Sequence, residues 1–322
     1  MLRSLTSLIV AAALTAATTM AHAAYPDKPV KLIVPWAPGG STDAIARAIA
    51  QRMSATLGQS VIVDNRSGAS GQIGTDAAAK AAPDGYTLAI VELPHAIQPA
   101  VVAKLPYDLL RDFTPVSLVG TSPLVLFANP AEFKAGDAKA FVQRARKTAA
   151  PLAIAHSGAG SSSHLAAEVF ASRGAFKYVA VPYRGSAPAL TDVAAGMVAA
   201  HFATLASGSS LYGAGKLSPL VVTGQVRLPA LPNVPTAREA GIDGMDFNQW
   251  WAVVAPATTP IEVVERLRAE IAAALAHPST RERLSTLGID LKASSRDELR
   301  TFMRGEVARW GAIARQAGVK PE

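Results

Sequence analysis

Lys31-Leu32-Ile33-Val34-Pro35-Trp36-Ala37-Pro38-Gly39-Gly40-Ser41-Thr42-Asp43, running on to Arg52, is the stretch that decides how this chain is read. Leu32-Ile33-Val34 is a short apolar run of strand character. Pro35 to Gly40 continues neither strand nor helix, because prolines and paired glycines punctuate it. Ser41-Thr42-Asp43 can cap a helix, and Ala44, Ile45, Ala48 and Ile49 follow at helical spacing. The reading is strand, glycine loop, helix start. Glycines let backbone N–H groups approach a ligand closely. Unpaired N–H donors and the dipole at a helix start favour an anion there. An ordinary βα turn has the same appearance, so the rest of the chain must decide between the two.

Working outward, the pattern repeats. Ser60 to Asp64 reads as a buried strand, and Asn65 to Gly74 is a second glycine-rich loop feeding a helix from Thr75 to Ala82. Tyr86 to Val91 is a third strand, which Glu92-Leu93-Pro94-His95 leaves at its C-terminal end. Thr114 to Gly120 and Pro123 to Asn129 read as two strands joined by Thr121-Ser122. A helix from Asp137 to Ala149 and a strand from Leu152 to Ala155 lead to His156-Ser157-Gly158-Ala159-Gly160-Ser161-Ser162-Ser163-His164, then a helix from Leu165 to Arg173. The opening device thus occurs twice, and the two loops could face each other across a cleft. Val179 to Tyr183 and Arg184-Gly185-Ser186-Ala187-Pro188 form another strand and loop before a helix from Ala189 to Ala195. Strands follow at Val198 to Phe202, Leu217 to Thr223 and Trp250 to Ala255. Helices at Ile261 to Leu275, Ser279 to Leu287 and Arg296 to Ala317 close the chain. Alternating strands and helices predict an α/β fold, with ligands outside the carboxyl ends of the strands.

The chain's 322 residues are enough for two domains, and half of them are hydrophobic. Arg3, the apolar run Leu8 to Ala17 and Ala21-His22-Ala23 have the three parts of a secretory signal over residues 1–23. Cleavage is expected near Ala23, with mature protein in the periplasm. The apolar run falls short of the ~20 residues that span a bilayer. There is no cysteine, hence no disulfide, thiolate metal site, cysteine nucleophile or lipidated cysteine anchor. The chain is therefore expected not to be membrane-anchored. Net charge is +7, and Arg3 is the only charge in residues 1–23, so +6 remains after cleavage. A basic surface steers anions. Arg144, Arg146 and Lys147 form one dense basic cluster without interleaved aromatics, which does not fit a nucleic-acid stripe.

Enzyme motifs fail on spacing. Gly215-Lys216 is followed by Leu217, not Ser or Thr, so there is no phosphate loop. Gly158-Ala159-Gly160 runs on to Ser163 where a dinucleotide fingerprint needs glycine. A nucleophile elbow needs glycine at 155 and 159, and both are alanine. His95, His156, His164, His201 and His277 are too dispersed to suggest a metal site, and no cofactor or metal is expected. A secreted hydrolase using Ser157 or Ser161 with His156 or His164 remains the rival from another class.

Together these motifs resemble a known family. Ile33 to Asp43, Asp64 to Gly74, Ala82-Pro83-Asp84-Gly85-Tyr86-Thr87-Leu88, Lys104-Leu105-Pro106-Tyr107-Asp108, Ser157 to Ser161, Val181 to Gly185, and Pro235-Thr236 with Glu239-Ala240-Gly241 are similar in order and kind to Bug-type solute-binding proteins. These are the TctC-like receptors of tripartite tricarboxylate transporters, and the likeness spans the whole mature chain. The resemblance implies a type II-like periplasmic binding protein of two mainly parallel α/β domains closing on a small organic acid. Its partners would be that ligand and integral-membrane transporter subunits, with the receptor itself a monomer. A ligand-presenting co-receptor for a signalling protein differs in partner only. The implied organisation is residues 24–120 and 229–322 in the first domain and 121–228 in the second.

Carried onto this sequence, the resemblance places the ligand between Pro38, Gly39, Gly40, Ser41, Thr42 and Asp43 on one side and Ser157, Gly158, Ala159, Gly160 and Ser161 on the other. Gly71, His95, Tyr183, Gly185 and Ala187 would line the cleft. Ser67 stands where proline is usual, Glu92 where a small residue is, and Ala206-Ser207-Gly208-Ser209 replaces a proline-containing loop. These departures leave the ligand's identity open. Glu92 has two readings: turned out to solvate the rim, or turned in to disfavour a polyanion.

Overall fold

Val30–Val34 forms β1, buried at four of its five positions because Val30, Leu32, Ile33 and Val34 have packing partners on both faces of the sheet. The computed structural model describes residues 25–316. The expected signal over 1–23 and the last residue of the expected final helix lie outside them. β1 pairs in parallel with β2 (Val61–Asn65) and β3 (Thr87–Glu92). Beyond β3 the directions change. β9 (Asn248–Pro256) is antiparallel to β3 and to β4 (Phe113–Ala128). β4 in turn runs antiparallel to β7 (Ala200–Thr204) and β8 (Ser218–Val222). β5 (Leu152–His156) is parallel to both β7 and β6 (Tyr178–Pro182). The strand order is β2-β1-β3-β9-β4-β7-β5-β6, with β8 and the two-residue β10 (Asp290–Leu291) also pairing β4. The wings are parallel as expected. The middle is antiparallel, because β4 and β9 carry the chain between the two halves.

β4 corrects the sequence reading. Two strands were expected with a break at Thr121-Ser122, but one 16-residue strand forms. Thr121 and Ser122 stay in the ladder opposite Trp250 and Gln249. Ladder hydrogen bonds are made by the backbone, so polar side chains do not interrupt them. Gly120 allows β10 to approach: a Cβ there would meet the Asp290 carbonyl oxygen at 2.8 Å. Through Pro123 the strand pairs with β9; from Leu124 it pairs with β7 and β8. The same strand therefore serves both sheets. Its faces alternate, with Leu124, Leu126 and Ala128 in one buried cluster and Val125 and Phe127 in another.

Helices cover the sheets. α1 (Ser41–Leu57) buries Ile45, Ile49 and Met53 in one cluster with Val264, Leu267 and Ile271 of α8 (Ile261–Ala276). α2 (Gln72–Ala79) begins three residues before its expected start. α3 (Leu93–Val101) was not anticipated, since Pro99 lies inside it and argues against a helix. Burial of Leu93, Ala96 and Ile97 beside Leu299 and Trp310 of α10 (Arg296–Gln316) overrides that local cost. On the second half, α4 (Ala138–Lys147) and α5 (Ser162–Arg173) bury Phe141 and Phe170, whose rings lie 6.0 Å apart. α6 (Ser186–Ala194) contributes Leu190 and Val193 to the opposite face. α7 (Leu205–Gly213), rich in Ser and Gly, was also unforeseen. α9 (Pro278–Thr286) follows α8. Among the described residues no helix is long and apolar enough to cross a membrane.

Candidate functional site

Five strands end at one place, and each feeds a helix there: β1 into α1, β3 into α3, β5 into α5, β6 into α6 and β7 into α7. A cavity of about 50 Å³ lies between these ends. The first half contributes Trp36, Ala37, Gly40, Ser41, Thr42, Asp43, Glu92, Pro94 and Gln249. The second contributes Ser157, Ser161, Ser162, Gly185, Ser186, Ala187, Thr204 and Ser207, with Leu124, Phe202 and Ala203 as an apolar wall. Among the described residues the lining is rich in hydroxyls and has no lysine or arginine. Helix N-termini bring a partial positive charge to it. The halves touch here, where the Ser41 N–H donates to Ser207 Oγ at 3.1 Å.

The second-half wall is a hydroxyl relay. Ser157 Oγ lies 3.1 Å from Ser186 Oγ, and Ser161 Oγ lies 3.0 Å from Ser163 Oγ, which accepts the Ser157 N–H. Ser161 also caps α5 by accepting the His164 N–H. The neighbouring imidazoles serve the loop backbone: His156 Nδ1 accepts from the Gly158 N–H at 3.2 Å and His164 Nδ1 from Gly160 at 3.4 Å. Neither imidazole is hydrogen-bonded to Ser157 Oγ or Ser161 Oγ in this arrangement.

On the first-half wall, Asp43 is buried and engaged. Its Oδ2 accepts from the Gly39 N–H at 3.2 Å and Arg47 Nε at 2.9 Å, and its Oδ1 accepts from Asn65 Nδ2 at 3.0 Å. Burial opposes the charge, but the hydrogen bonds from Arg47, Asn65 and Gly39 outweigh it and hold the carboxyl below its ordinary range. Glu92 is turned in and only 4% exposed. Its Oε2 accepts from Thr42 Oγ1 at 2.7 Å and Gln249 Nε2 at 2.8 Å. It also forms a capping box with His95 at the start of α3. Burial pushes the Glu92 carboxyl up to about 7 against these donors.

Of the residues expected at the site, Gly40, Ser41, Thr42, Asp43, Ser157, Ser161, Gly185, Ala187 and Glu92 line the cavity. Pro38 and Gly39 form the exposed apex of the loop, because Asp43 draws the Gly39 N–H back toward the helix. Gly71, Gly158 and Tyr183 instead border an adjoining cavity of about 250 Å³ with Arg184, sharing Trp36 and Ser157 with the first. Ala159 is exposed, and Gly160 packs toward Val101 and Gln98. His95 is fully buried beneath the wall, its Nδ1 on the Glu92 backbone and its Nε2 2.9 Å from Thr75 Oγ1. Sequence reasoning missed Gln249, Ser186, Thr204 and Ser162. Nothing local marks a lone glutamine at a strand's first turn. Ser162 and Ser186 were visible as helix starts only if α5 and α6 were begun three residues earlier.

The motif describing the tripartite tricarboxylate transporter family receptor, TctC, matches residues 45–319. The chain belongs to that family. Protein BugT of Bordetella pertussis is 36% identical over 92% of this chain and 91% of its own, and a UPF0065 protein of Pseudomonas sp. (strain P51) is 40% identical over 94% and 90%. Solved structures agree. The periplasmic binding protein BugD is 31% identical with a TM-score of 0.88, covering 92% of this chain and all of that one. A Rhodopseudomonas palustris protein with adipate gives 36% and 0.88 over the same shares. MatC of the same organism, with bound malate, gives 33% and 0.85 over 90% of this chain and all of that one. This TctC-family chain thus has the two-domain architecture of periplasmic solute receptors.

Proposed function

We propose that this TctC-family receptor binds a small organic acid in the cavity between its two halves and delivers it to an integral-membrane transporter. One observation carries the reading: helix N-termini from both sheets converge on one hydroxyl-lined cavity that contains no basic side chain. A carboxylate held by backbone N–H and hydroxyl groups is stabilised by charge-assisted hydrogen bonds, each worth roughly 1.5–3 kcal/mol. We assign contact with it to Gly40, Ser41, Thr42, Ser157, Ser161, Ser186 and Ala187. Asp43 shapes the first loop through the Gly39, Arg47 and Asn65 donors, and as an acceptor-only carboxylate it offers an anion no hydrogen bond. The adipate and malate of the relatives support carboxylates as the class. Binding without chemistry fits a wall in which the Ser157, Ser161, Ser186 and Ser207 hydroxyls bond other hydroxyls.

Calorimetry of the mature chain against mono-, di- and tricarboxylates tests this, and at least one is expected to bind with a Kd in the micromolar range or below. No heat from any of them would overturn the reading. Export is tested separately, by fractionation and the intact mass of the processed N-terminus, expected at Ala24 or within a residue or two.

A further inference from the structure

The first-half wall has a hydrogen-bond polarity that can be worked out donor by donor. Trp251 Nε1 donates to Thr42 Oγ1 at 3.1 Å, and an indole N–H can only donate. The Thr42 hydroxyl proton is therefore free to go onward, to Glu92 Oε2 at 2.7 Å. Above pH 7, where Glu92 is ionised, both of its oxygens only accept, so the Gln249 group 2.8 Å from Oε2 is the amide NH2. The Gln249 amide cannot then flip without setting two acceptors against each other. Among the described residues its Oε1 has no partner, on a side chain 4% exposed, in the cavity wall. A buried carbonyl oxygen without a donor is costly, and native structures seldom leave one. The Trp36 indole N–H lies beside the same carboxylate and lines the same cavity.

We propose that Gln249 reads a hydrogen-bond donor on the ligand, a hydroxyl or amine, with Glu92 as the positioning residue that holds the amide oxygen available. The inference rests on the carboxylate-receptor reading and narrows it: the ligand is an organic acid that also carries a donor, rather than a plain di- or tricarboxylate. The carboxylate sits on the helix N-termini and hydroxyls of both halves assigned above, and the donor meets the Gln249 and Glu92 end of the first-half wall.

Calorimetry on the mature receptor with paired acids differing by one donor tests this: succinate with malate, succinate with aspartate, glutarate with glutamate, and butyrate with 4-hydroxybutyrate. In wild type, at least one donor-bearing member should bind about tenfold or more tighter than its plain partner, the equivalent of one net hydrogen bond to a buried acceptor. Gln249→Leu should erase that ratio while leaving the plain acid's affinity within about threefold. Gln249→Met, closer in shape, serves if the first variant does not fold. Glu92→Gln should lower the ratio too, since a side-chain amide there lets Gln249 turn over; a merely structural Glu92 would change both members of a pair alike. Carboxylate binding with no donor preference in wild type, or a preference that survives in the Gln249 variants, overturns this inference alone. Absence of binding by every acid overturns the receptor reading and this inference with it.

Discussion

Asn65 Nδ2 donates to Asp43 Oδ1 at 3.0 Å, which fastens the end of β2 to the first turn of α1. The same carboxylate holds Arg47 and the Gly39 N–H, so one buried side chain sets the shape of the first ligand loop. Asp43→Ala removes the acceptor and leaves Asn65 and Gly39 without it. Stability should fall by about 1–3 kcal/mol and carboxylate affinity should fall with it. The carboxyl is held below its ordinary 3.8, so its contribution is present above that value and is lost as pH falls through the folded one. Denaturant curves and calorimetry on the same samples check this. Lost affinity with unchanged stability would mean that Asp43 touches the ligand directly.

Glu92 makes a prediction of opposite sign. Its folded value of about 7 lies above its ordinary 4.5. The protonated form is therefore favoured by folding, and its contribution is full below 4.5 and lost as pH rises through 7. Relative to Glu92→Gln, wild type should lose up to about 3 kcal/mol between pH 4.5 and 7.5. Melting temperatures of the two proteins across that range should cross or converge. Parallel curves would show that the carboxyl keeps the same affinity for its proton in both states.

Gly40 separates binding from folding. Its φ is −83°, and a Cβ added there meets no atom within 4 Å, so a larger residue fits the backbone and extends into open space at the cavity. Gly40→Val should weaken carboxylate binding by at least about tenfold, since one lost charge-assisted contact already amounts to that. The melting temperature should stay within a few degrees. Gly185 is the contrast, because its φ of +135° is strained for any side chain. Gly185→Val should lose stability as well as affinity. Unaltered binding in Gly40→Val would move the ligand elsewhere in the cleft.

The first strand, the two glycine–serine loops and the family were legible because local chemistry demands them: apolar β-branched runs, positive-φ glycines and helix caps are written in adjacent residues. Tertiary compensation was not. Pro99 in α3 and the Ser/Gly content of α7 argue locally against helix, and packing reverses both. Thr121 and Ser122 resemble a turn, yet β9 holds both in the ladder and β10 also pairs Thr121. At the site, residues next to one another in sequence parted company: Ser41 and Thr42 face the cavity, while Pro38 and Gly39 face solvent. Glu92 could be singled out by its place at a strand end. Its partner Gln249, 157 residues away, could not, because only the folded sheet sets β9 beside β3.

Buried histidines set the other limb of the pH profile. His201 is fully buried, with Nδ1 2.9 Å from the Ala155 carbonyl oxygen and no partner for Nε2. Burial pushes both His201 and His95 down to about 4, from an ordinary 6.5. Between those values the unfolded chain takes up protons that the fold refuses. Stability should therefore be present above 6.5 and fall as pH drops toward 4, by about 1.4 kcal/mol per unit for each such histidine. Glu92 works against this between 4.5 and 6.5, where falling pH favours the fold through its carboxyl. One carboxyl offsets one histidine, and His156, which burial also holds below its ordinary value, adds to the decline, so wild type should lose stability as pH falls across that window. His201→Gln keeps a donor for Ala155 and removes the titration. Its unfolding free energy should fall less steeply than wild type's from pH 6.5 to 4.5, whereas that of Glu92→Gln should fall more steeply. Urea titrations at half-unit steps separate the three slopes, and equal slopes in wild type and His201→Gln would show that this imidazole is protonated as readily in the fold as out of it.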